Sequence, residues 1–480
     1  MSKKSEEGLT IRKEENFSEW YQQLILKSGL ADYSSVSGAI VFKPLSYAIW
    51  EKVQGIIDRE FKAIGIKNTY FPLLISEKLL SKEKDHVKGF TPEVAWVTHA
   101  GNTKLNEKLA IRPTSEAIMY DSYSRWIRSH RDLPLRLNQW NNVVRWEFKH
   151  PVPFLRTREF LWNEGHHAYS NPDELEADRK KITKIYSDFL KNYMALPSIS
   201  GKKTDSEKFA GAVTTYSLEL VLPNGKAIQG PDYHDDGQNF AKAYGIKFID
   251  KDGKEKYCYQ STYAFTTRML GIMFAIHSDD NGLITPPKLA ENKVVIIPII
   301  FDKSKKDVLK KSREIEKSLN KYGAFVDSRE DCSTGRKFNE WELKGIPIRI
   351  EIGPNDLKKK QAAVKTRLGK KQNINFKDLD KKIGKLLDEM QDELYKKAGK
   401  SLNESISKAE NLDDLVKNIK KKKIVLIPMC NDSKCGDNVK EKTQGAKTLN
   451  IPEKQPKIHG KKCIACGKKA SYWVYAGKSY

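Results

Sequence analysis

The sequence predicts a multidomain protein of mixed α and β structure, with a large domain at residues 1–290, a small α/β domain at 291–395 and a small α/β unit at 396–480. Three observations predict this division. Residues 17–290 are rich in tryptophan, tyrosine and apolar stretches without repeats, strand-like and helix-like segments alternate from residue 294, and four of the six cysteines follow residue 429. A chain of 480 residues that is 39% hydrophobic can bury several cores.

The first domain opens with a long amphipathic helix. Residues 45–64 (LSYAIWEKVQGIIDREFKAI) carry apolar side chains at helical spacing, namely Ile49, Val53, Ile56, Ile57, Phe61 and Ile64. The following NTYFPLLI reads as a strand interrupted by Pro72. The prolines and polar residues of TPPKLAEN (285–292) predict a linker at the end of the domain.

The second domain alternates strand and helix patterns. VVIIPIIF (294–301) is followed by the helix-like KKDVLKKSREIEKSLNKYG, then by AFVDS and by IPIRIEIG (346–353). This order predicts a partly parallel sheet. Residues 358–371 (KKKQAAVKTRLGKK) carry seven basic residues and no acid, which predicts either an edge that faces an anion or a solvated lysine loop. Residues 377–422 form a charged helical stretch before the last unit begins with IVLIPMC.

The last unit carries a cysteine pattern typical of a metal site. Cys430 and Cys435 are separated by four residues, and Cys463 and Cys466 by two, with 27 residues between the pairs. Four thiolates at about 2.3 Å complete a tetrahedron around Zn²⁺. We therefore expect structural zinc, with unliganded reduced thiols as the alternative. A catalytic zinc is disfavoured because four protein ligands leave no open position.

Charge and hydropathy narrow the choice of partner and compartment. Lys and Arg number 86 against 62 Asp and Glu, giving a net charge of +24, which favours a polyanion such as nucleic acid, although a lysine-rich proteome would produce the same excess. No stretch approaches the roughly 18 consecutive apolar residues of a membrane span. The N-terminal MSKKSEEGLTIRKEENFSEW lacks the apolar core of a signal peptide. A cytoplasmic protein without membrane contact is expected.

Residues 143–162 (VVRWEFKHPVPFLRTREFLW) combine arginines with a carboxylate and aromatic rings. On a strand, Arg145 and Glu147 would project to one face, where a guanidinium can bind a phosphate or carboxylate and a carboxylate can accept from an amino group. The loop then returns with Arg156, Thr157 and Arg158, and Phe160 offers a ring on which a purine could stack. Taken alone, the segment is better explained by a surface ion pair.

Three further segments offer matching chemistry. If IRPTSEA is extended, Thr114 and Glu116 share a face and could hold an ammonium group. QGPDYHDDGQNFAKAYGIKF supplies Gln229 and His234. Arg268 opens the apolar helix of STYAFTTRMLGIMFAIH, where its burial would be costly without an anion such as a nucleotide phosphate.

In this order the segments resemble motifs 1, 2 and 3 of the class II aminoacyl-tRNA synthetases. RPTSE, FKHPVPFLRTREFLWNEGHHAY, GQNFAKAYGIKF, KFNEWELKGIPIRIEIGP and the terminal GKSY are similar to prolyl-tRNA synthetases of the archaeal and eukaryotic type, and the likeness extends over nearly the whole chain. The resemblance implies a class II catalytic domain built on an antiparallel sheet, an anticodon-binding domain and a zinc-binding C-terminal domain.

The resemblance also implies an activity, in which L-proline and ATP form prolyl-adenylate and proline passes to the 3′ end of tRNA(Pro), with release of AMP and pyrophosphate. Arg145 and Arg268 would be catalytic. The implied ATP ligands are Arg145, Glu147, Arg156, Thr157, Phe160, Gln229, Asp232, Thr266 and Arg268, with Gln229 also reaching Mg²⁺ through ATP. The implied proline ligands are Thr114, Glu116, Arg145, Trp162, His166, Phe209 and His234.

Other implied features lie outside this pocket. Glu342, Arg349 and Lys371 would read guanines of the anticodon, motif 1 would form a homodimer interface, and Tyr480 would lie near the active site. Two alternatives stay open. A synthetase for another small amino acid, such as threonine, would need a metal or polar partner in the pocket, and no such ligand cluster is expected outside the C-terminal unit. A non-catalytic paralogue would be expected to lack Arg145, Glu147 or Arg268, which are all present.

Overall fold

The structure, a computed structural model, describes residues 8–86 and 93–480, and the side chains of all of these except 82–86. The predicted first domain therefore begins outside the described residues. Separate apolar clusters form the cores of the first domain, of the second α/β domain and of the cysteine-containing unit. Within the described part of the chain, no helix combines the length and apolar character that crossing a bilayer requires.

Thirteen α-helices are found among the described residues: α1 Phe17–Lys27, α2 Pro44–Ala63, α3 Glu77–His86, α4 Glu116–Trp126, α5 Pro172–Asn192, α6 Asn239–Tyr244, α7 Arg268–His277, α8 Lys305–Ser318, α9 Thr334–Leu343, α10 Pro354–Lys359, α11 Leu379–Ser405, α12 Leu412–Lys420 and α13 Lys434–Lys442. Local chemistry explains several starts. Pro44 and Pro172 occupy first turns, where a missing N–H costs nothing, and the Asn171 side chain caps α5 by accepting from the Glu174 N–H at 3.0 Å.

The strands of the first domain are β1 Ala31–Tyr33, β2 Ile40–Phe42, β3 Lys67–Asn68, β4 Leu74–Ser76, β5 Trp96–Ala100, β6 Thr103–Ile111, β7 Leu135–Val144, β8 Glu159–Tyr169, β9 Ile199–Lys203, β10 Thr214–Val221, β11 Ala227–Gly237, β12 Lys247–Ile249, β13 Glu255–Tyr257 and β14 Tyr259–Thr266. The later strands are β15 Val294–Pro298, β16 Phe325–Val326, β17 Ile348–Ile352, β18 Gln361–Thr366, β19 Lys371–Asn375, β20 Ile406–Lys408, β21 Ile424–Met429, β22 Ala446–Thr448, β23 Asn450–Pro452 and β24 Tyr472–Lys478.

An eight-stranded sheet, in the order β23-β9-β10-β11-β14-β8-β7-β3, dominates the first domain. Every neighbouring pair is antiparallel except β3 and β7. The expected antiparallel sheet is thus confirmed. The helices α2, α5 and α7 contribute to the apolar cluster that covers one face. Alternate residues of β8, β11 and β14 are consequently available to line a site on the other face.

The second domain has a five-stranded sheet in the order β16-β15-β17-β18-β19. The first three strands are parallel, whereas β18 and β19 return as an antiparallel hairpin. The predicted partly parallel sheet is therefore correct. The basic run at 358–371 is largely regular structure, since it includes the end of α10, all of β18 and the first residue of β19.

The C-terminal unit is joined to the first domain through a shared sheet. Its own strands have the order β20-β21-β24-β22, while β23 pairs antiparallel with β9 of the eight-stranded sheet. The buried Asn450 amide donates to the carbonyl oxygens of Ile199 at 2.9 Å and Ser217 at 2.8 Å. The terminal Tyr480 N–H donates to the carbonyl oxygen of Ala227 at 2.8 Å. The end of the chain is consequently held against the start of β11, the strand that also carries Gln229.

Two local expectations differ from the structure. Arg145 and Glu147 were expected on a strand, but β7 ends at Val144 and a turn begins at Trp146. The Arg145 N–H still donates to the Arg158 carbonyl oxygen at 2.7 Å, but the Trp146 N–H donates instead to the Glu93 carbonyl oxygen at 2.9 Å, so pairing with the returning segment stops there. The extended conformation considered for residues 111–116 is also wrong at its end, because Glu116 begins α4. Thr114 still donates to Glu116, since the turn before the helix brings the two side chains together.

Candidate active site

A cavity of about 270 Å³ opens on the face of the eight-stranded sheet opposite the main apolar cluster. It is lined from β8, β11 and β14, from the turn before α4 and from the start of α7. Most of the residues implied for ATP and proline line it, namely Thr114, Glu116, Arg145, Phe160, Trp162, His166, Phe209, Gln229, Asp232, His234, Thr266 and Arg268. Residues separated by more than 150 positions in the chain therefore meet in one site.

One side of the cavity carries arginines that form no ion pair with the described residues. Within the described residues, Arg145, Arg156 and Arg268 have no carboxylate at ion-pair distance, as the ion pairs found there involve other arginines. Arg145 Nε donates to the Pro113 carbonyl oxygen at 3.0 Å, and Arg268 Nε to that of Leu155 at 3.1 Å. Burial, and then the charges of Arg145 and Arg156, lower the pKa of Arg268 to about 10. This arrangement favours an anionic ligand.

The Arg145 side chain is held between aromatic rings. Its guanidinium carbon lies 5.6 Å from the centre of the Phe160 ring and 5.3 Å from that of Trp162. The two rings meet edge to face at 5.6 Å, and Trp162 Nε1 donates to the Asn141 side-chain oxygen at 2.6 Å. These contacts fix the guanidinium while leaving its terminal nitrogens available to a ligand.

The opposite side of the cavity is acidic and built around Glu164. This buried carboxylate accepts from Ser115, Gln139, Asn141 and His166, with donor distances between 2.5 and 3.1 Å. Burial by itself would raise the pKa of Glu164, but the hydrogen bond and charge of His166, with the bonds from Ser115 and Asn141, hold it at about 2. Glu164 is therefore ionised.

Glu116 and His166 complete the acidic side. Burial opposes protonation of His166, yet its bond to Glu164 and the charges of Glu116 and Glu164 raise its pKa above the ordinary value. Metal-type ligand atoms of the three side chains lie within 4.8 Å of one another. The expectation that no such cluster exists outside the C-terminal unit was therefore wrong. Glu164 is nevertheless saturated with hydrogen bonds from protein groups, which disfavours it as a metal ligand.

The apolar part of the cavity is small and rigid. The rings of Phe209 and His234 stack with centres 4.7 Å apart and planes inclined by 28°. His234 Nδ1 lies 2.9 Å from the Thr215 hydroxyl oxygen, and burial, the largest influence, lowers the pKa of His234. His234 is therefore a neutral ring that adds a wall rather than a charge.

Gln229 and Asp232 lie between these two sides, on β11. The Gln229 amide nitrogen donates to Asp232 Oδ2 at 2.7 Å, which leaves the amide oxygen as an acceptor. The other oxygen of Asp232 is buried and makes no hydrogen bond to any described residue. An amide oxygen and an uncompensated carboxylate oxygen are hard donors of the kind that Mg²⁺ prefers, so these residues fit the implied ion.

Three of the implied ATP ligands do not line the cavity. Arg156 lies close enough to influence Arg268, and its guanidinium packs over the Tyr480 ring at 5.2 Å. Thr157 is buried in the same loop. Glu147 is exposed in the turn beyond β7. The structure thus brings most of the predicted set together and leaves Glu147 at the surface.

The four cysteines of the C-terminal unit converge. Cys430 Sγ lies 3.6 Å from Cys435 Sγ and 3.7 Å from Cys466 Sγ, and all four sulfur atoms lie within 4.8 Å of one another. A tetrahedron with Zn–S bonds of about 2.3 Å has edges of about 3.8 Å. The four thiols, which form no disulfide, therefore match the spacing of a zinc site.

The residues implied for anticodon recognition lie on one side of the second domain. Arg349 on β17 is opposite Lys365 on β18, which is opposite Lys371 on β19, so the three side chains form a row across the sheet. Lys365 Nζ donates to Glu342 Oε2 at 3.2 Å, and Arg349 approaches the same oxygen at 4.0 Å. The predicted residues thus lie side by side, with Arg349 buried, and the structure adds Lys365 to them.

Sequence and structure comparisons agree with this geometry. Family models match the chain at residues 96–277 (tRNA synthetase class II core domain for G, H, P, S and T), 293–386 (anticodon binding domain) and 412–480 (prolyl-tRNA synthetase, C-terminal). A cytoplasmic proline–tRNA ligase of Arabidopsis thaliana is 42% identical over 98% of this chain and 91% of its own, and a proline–tRNA ligase of Lachnoclostridium phytofermentans is 43% identical over 100% and 99%.

The chain belongs to the prolyl-tRNA synthetase family.

A crystal structure of prolyl-tRNA synthetase from Cryptosporidium parvum, complexed with halofuginone and AMPPNP, superposes with a TM-score of 0.95 at 41% identity and covers 99% of this chain and 100% of its own. The predicted family, class II fold and enzyme class, that of a proline–tRNA ligase, are confirmed. The domain boundaries at 290 and 395 and the individual roles of the site residues stay predictions.

Sequence reasoning missed the central acid of this synthetase. Glu164 stands two residues after Trp162 and two before His166, so strand alternation alone places the three side chains on one face of β8. The stretch FKHPVPFLRTREFLWNEGHHAY contains this alternation. In contrast, Thr215 reaches the pocket from β10, and no local pattern connects it to His234.

Proposed function

We propose that this prolyl-tRNA synthetase binds ATP and L-proline side by side in the cavity, forms prolyl-adenylate there, and transfers proline to the 3′ end of tRNA(Pro). The observation that supports this proposal is the division of one cavity into two sides. One side carries arginines that form no ion pair with the described residues, the other is acidic and centred on Glu164, and Arg145 is within reach of both. A zwitterionic amino acid and a polyphosphate match these two sides. AMP and pyrophosphate are the released products.

The proposed ATP ligands are the arginine side and its neighbours. Arg145 and Arg268 contact the α-phosphate and are the catalytic residues, while Arg156 and Thr157 hold the rest of the nucleotide. Phe160 offers its ring to the adenine and Thr266 lies beside Arg268. Glu147 would reach the adenine amino group only if the turn that carries it closes over bound nucleotide, so its assignment depends on that movement.

The proposed proline ligands are the acidic and apolar sides. Thr114 and Glu116 accept the two hydrogens of the secondary ammonium, and ionised Glu164, hydrogen-bonded to His166, orders the surrounding bonds. Trp162, Phe209 and His234 enclose the ring. The proline carboxylate then faces Arg145, which places it beside the α-phosphate.

Adenylate formation requires the proline carboxylate oxygen to attack the α-phosphorus while pyrophosphate leaves. No covalent enzyme intermediate and no general base are needed, because the carboxylate is already an anion. The residues contribute positioning and stabilisation of the negative charge on the phosphate oxygens. Mg²⁺, when bound with ATP near Gln229 and Asp232, would neutralise part of the phosphate charge.

Three further assignments accompany this function. Glu342, Arg349 and Lys371 contact anticodon guanines, with acids reading donors and cations reading acceptors. The four cysteines hold structural Zn²⁺. A homodimer is proposed through the motif 1 helix α2, and exposed apolar side chains near it support this, namely Tyr33, Val41, Tyr47 and Tyr70. The name of the Arabidopsis relative supports a cytoplasmic location.

Amino-acid-dependent ATP–pyrophosphate exchange tests the proposal. Purified protein is assayed with each of the twenty amino acids, with and without Mg²⁺, and proline should give the largest kcat/KM. Weak exchange with alanine or cysteine at high concentration is compatible, because a small apolar pocket discriminates by only about 1–3 kcal/mol per methylene or two. Absence of a proline signal, or a preference for threonine, would reject the proposed function.

A further inference from the structure

A group of buried polar side chains beside the cavity has no hydrogen-bond partner among the described residues. Asp236 and Gln260 are fully buried and Thr262 is nearly so. Among the described residues, no hydrogen-bond partner is found for either oxygen of Asp236, for the amide nitrogen or oxygen of Gln260, or for the Thr262 hydroxyl. Buried polar groups are almost always paired with protein or with ordered water. Three orphaned side chains in one place therefore indicate an occupant.

The three side chains come from neighbouring strands. In the β11–β14 pair, His234 is opposite Thr262 and Gly237 is opposite Gln260, with a register irregularity that accommodates Asp236. Gln260 and Thr262 are two residues apart and share a face of β14. Thr262 also lines the proline cavity. The cluster therefore lies next to the cavity, on the same face of β14.

The electrostatic surroundings favour a neutral Asp236. Burial, the largest influence, raises its pKa well above the ordinary value, and the charges of Glu116 and Asp235 raise it further. The Thr262 hydroxyl lies close enough to lower that pKa slightly but makes no hydrogen bond of acceptable geometry. A carboxyl group accepts hydrogen bonds in either protonation state, and the amide and the hydroxyl both donate and accept. Together they suit a water molecule, which takes two to four partners at a buried polar site.

We infer that Asp236, Gln260 and Thr262 hold a buried water molecule that hydrogen-bonds Glu116 from behind, and that Asp236 is a positioning residue for proline recognition. Thr262 and Glu116 line the same cavity, and Asp236 precedes the residue paired with Gln260 on the strand next to Thr262. Glu116 already accepts from Thr114 on one side. A second donor behind it fixes the carboxylate plane before substrate arrives. The inference rests on the proposed function, since Glu116 is the group assigned to the ring ammonium.

Two substitutions separate this role from a purely structural one. Asp236→Leu keeps the branching at Cγ but removes every hydrogen-bonding atom of the side chain, whereas Asp236→Asn keeps a donor and an acceptor. In pyrophosphate exchange, Asp236→Leu should raise KM for proline about tenfold, as expected for one lost hydrogen bond, and leave KM for ATP within about twofold. Asp236→Asn should restore KM for proline to within about threefold of wild type. The melting temperature of Asp236→Asn should stay close to that of wild type, because the amide can keep hydrogen bonds to the buried water.

Asp235→Asn is the matched control. Asp235 is the adjacent carboxylate, and its Oδ1 accepts from the Gly237 N–H at 2.9 Å, a bond that an asparagine oxygen can keep. Its KM for proline should equal that of wild type. The inference is refuted if Asp236→Leu binds proline as wild type does, or if Asp236→Asn loses as much affinity as Asp236→Leu. Wild-type protein without proline-dependent exchange would refute the proposed function and the inference with it.

Discussion

Replacing Arg145 by lysine tests the proposed division of the active site most directly. Lysine keeps the charge but loses the planar fork, the Nε–H bond to the Pro113 carbonyl at 3.0 Å and the packing between Phe160 and Trp162. If the guanidinium makes two charge-assisted bonds in the transition state, at about 1.5–3 kcal/mol each, their loss costs roughly 3–6 kcal/mol. At 1.36 kcal/mol per decade, kcat/KM for proline should fall about 10²- to 10⁴-fold.

The same loop provides the control. Arg158 is also partly buried, but its Nη1 donates to the Ser37 carbonyl oxygen at 2.9 Å and its guanidinium packs on Trp146 at 4.5 Å, outside the cavity. Arg158→Lys should change kcat/KM by less than about threefold, as expected for a surface replacement within about 0.5 kcal/mol. Pyrophosphate exchange at varied proline and ATP concentrations measures both variants. Equal losses in the two, or a loss below tenfold for Arg145→Lys, would refute the assignment.

Four other outcomes are expected. Deleting Tyr480 removes the ring that packs over Arg156 at 5.2 Å and should lower exchange about two- to fivefold, the equivalent of a cation–π contact; unchanged kinetics would contradict this. Cys463→Ser should abolish stoichiometric zinc in atomic absorption and lower the melting temperature, so a variant with full zinc content would count against the site. Glu342→Gln should lower kcat/KM for tRNA(Pro) charging about 5- to 150-fold, from about 1–3 kcal/mol of base discrimination, and leave exchange unaltered; parallel losses in both assays would exclude anticodon contact. Burial would raise the pKa of Glu164, but the hydrogen-bonded His166 imidazole holds it at about 2, below the ordinary 4.5. The ionised carboxylate therefore contributes its full stabilisation above about pH 4.5 and loses it as the pH falls toward 2. Glu164→Gln should flatten that acid limb of the melting temperature, and an unaltered limb would contradict the assignment.

Local sequence patterns predicted the elements that depend on local chemistry. The apolar spacing of residues 45–64 predicted α2, which spans Pro44–Ala63, and the apolar helix after Thr267 begins at Arg268 as expected. The cysteine spacing predicted the convergence of four thiols. These successes share a cause, since each pattern is read within one helix or one short loop, where periodicity and ligand spacing are sufficient.

Predictions failed where a local pattern was extended beyond its element. Arg145 and Glu147 are spaced like residues on one face of a strand, yet β7 ends at Val144 and Glu147 is exposed. Hydrogen bonding between strands, rather than side-chain alternation, determines where a strand stops. The same limitation hid the metal-type cluster of Glu116, Glu164 and His166, because a helix start and a neighbouring strand supply its members.

The sequence by itself determined which charges and rings this synthetase possesses and, through ordered motifs, the family to which it belongs. Only the tertiary structure decided which of them face one another. The register of β8, β11 and β14 sets Arg268 near Arg145 and leaves Asp236 buried without a hydrogen-bond partner among the described residues. The bond from the Tyr480 N–H to the Ala227 carbonyl oxygen brings the end of the chain back to Arg156. Charge separation across one cavity is a property of distances between strands, and linear spacing along a chain does not contain those distances.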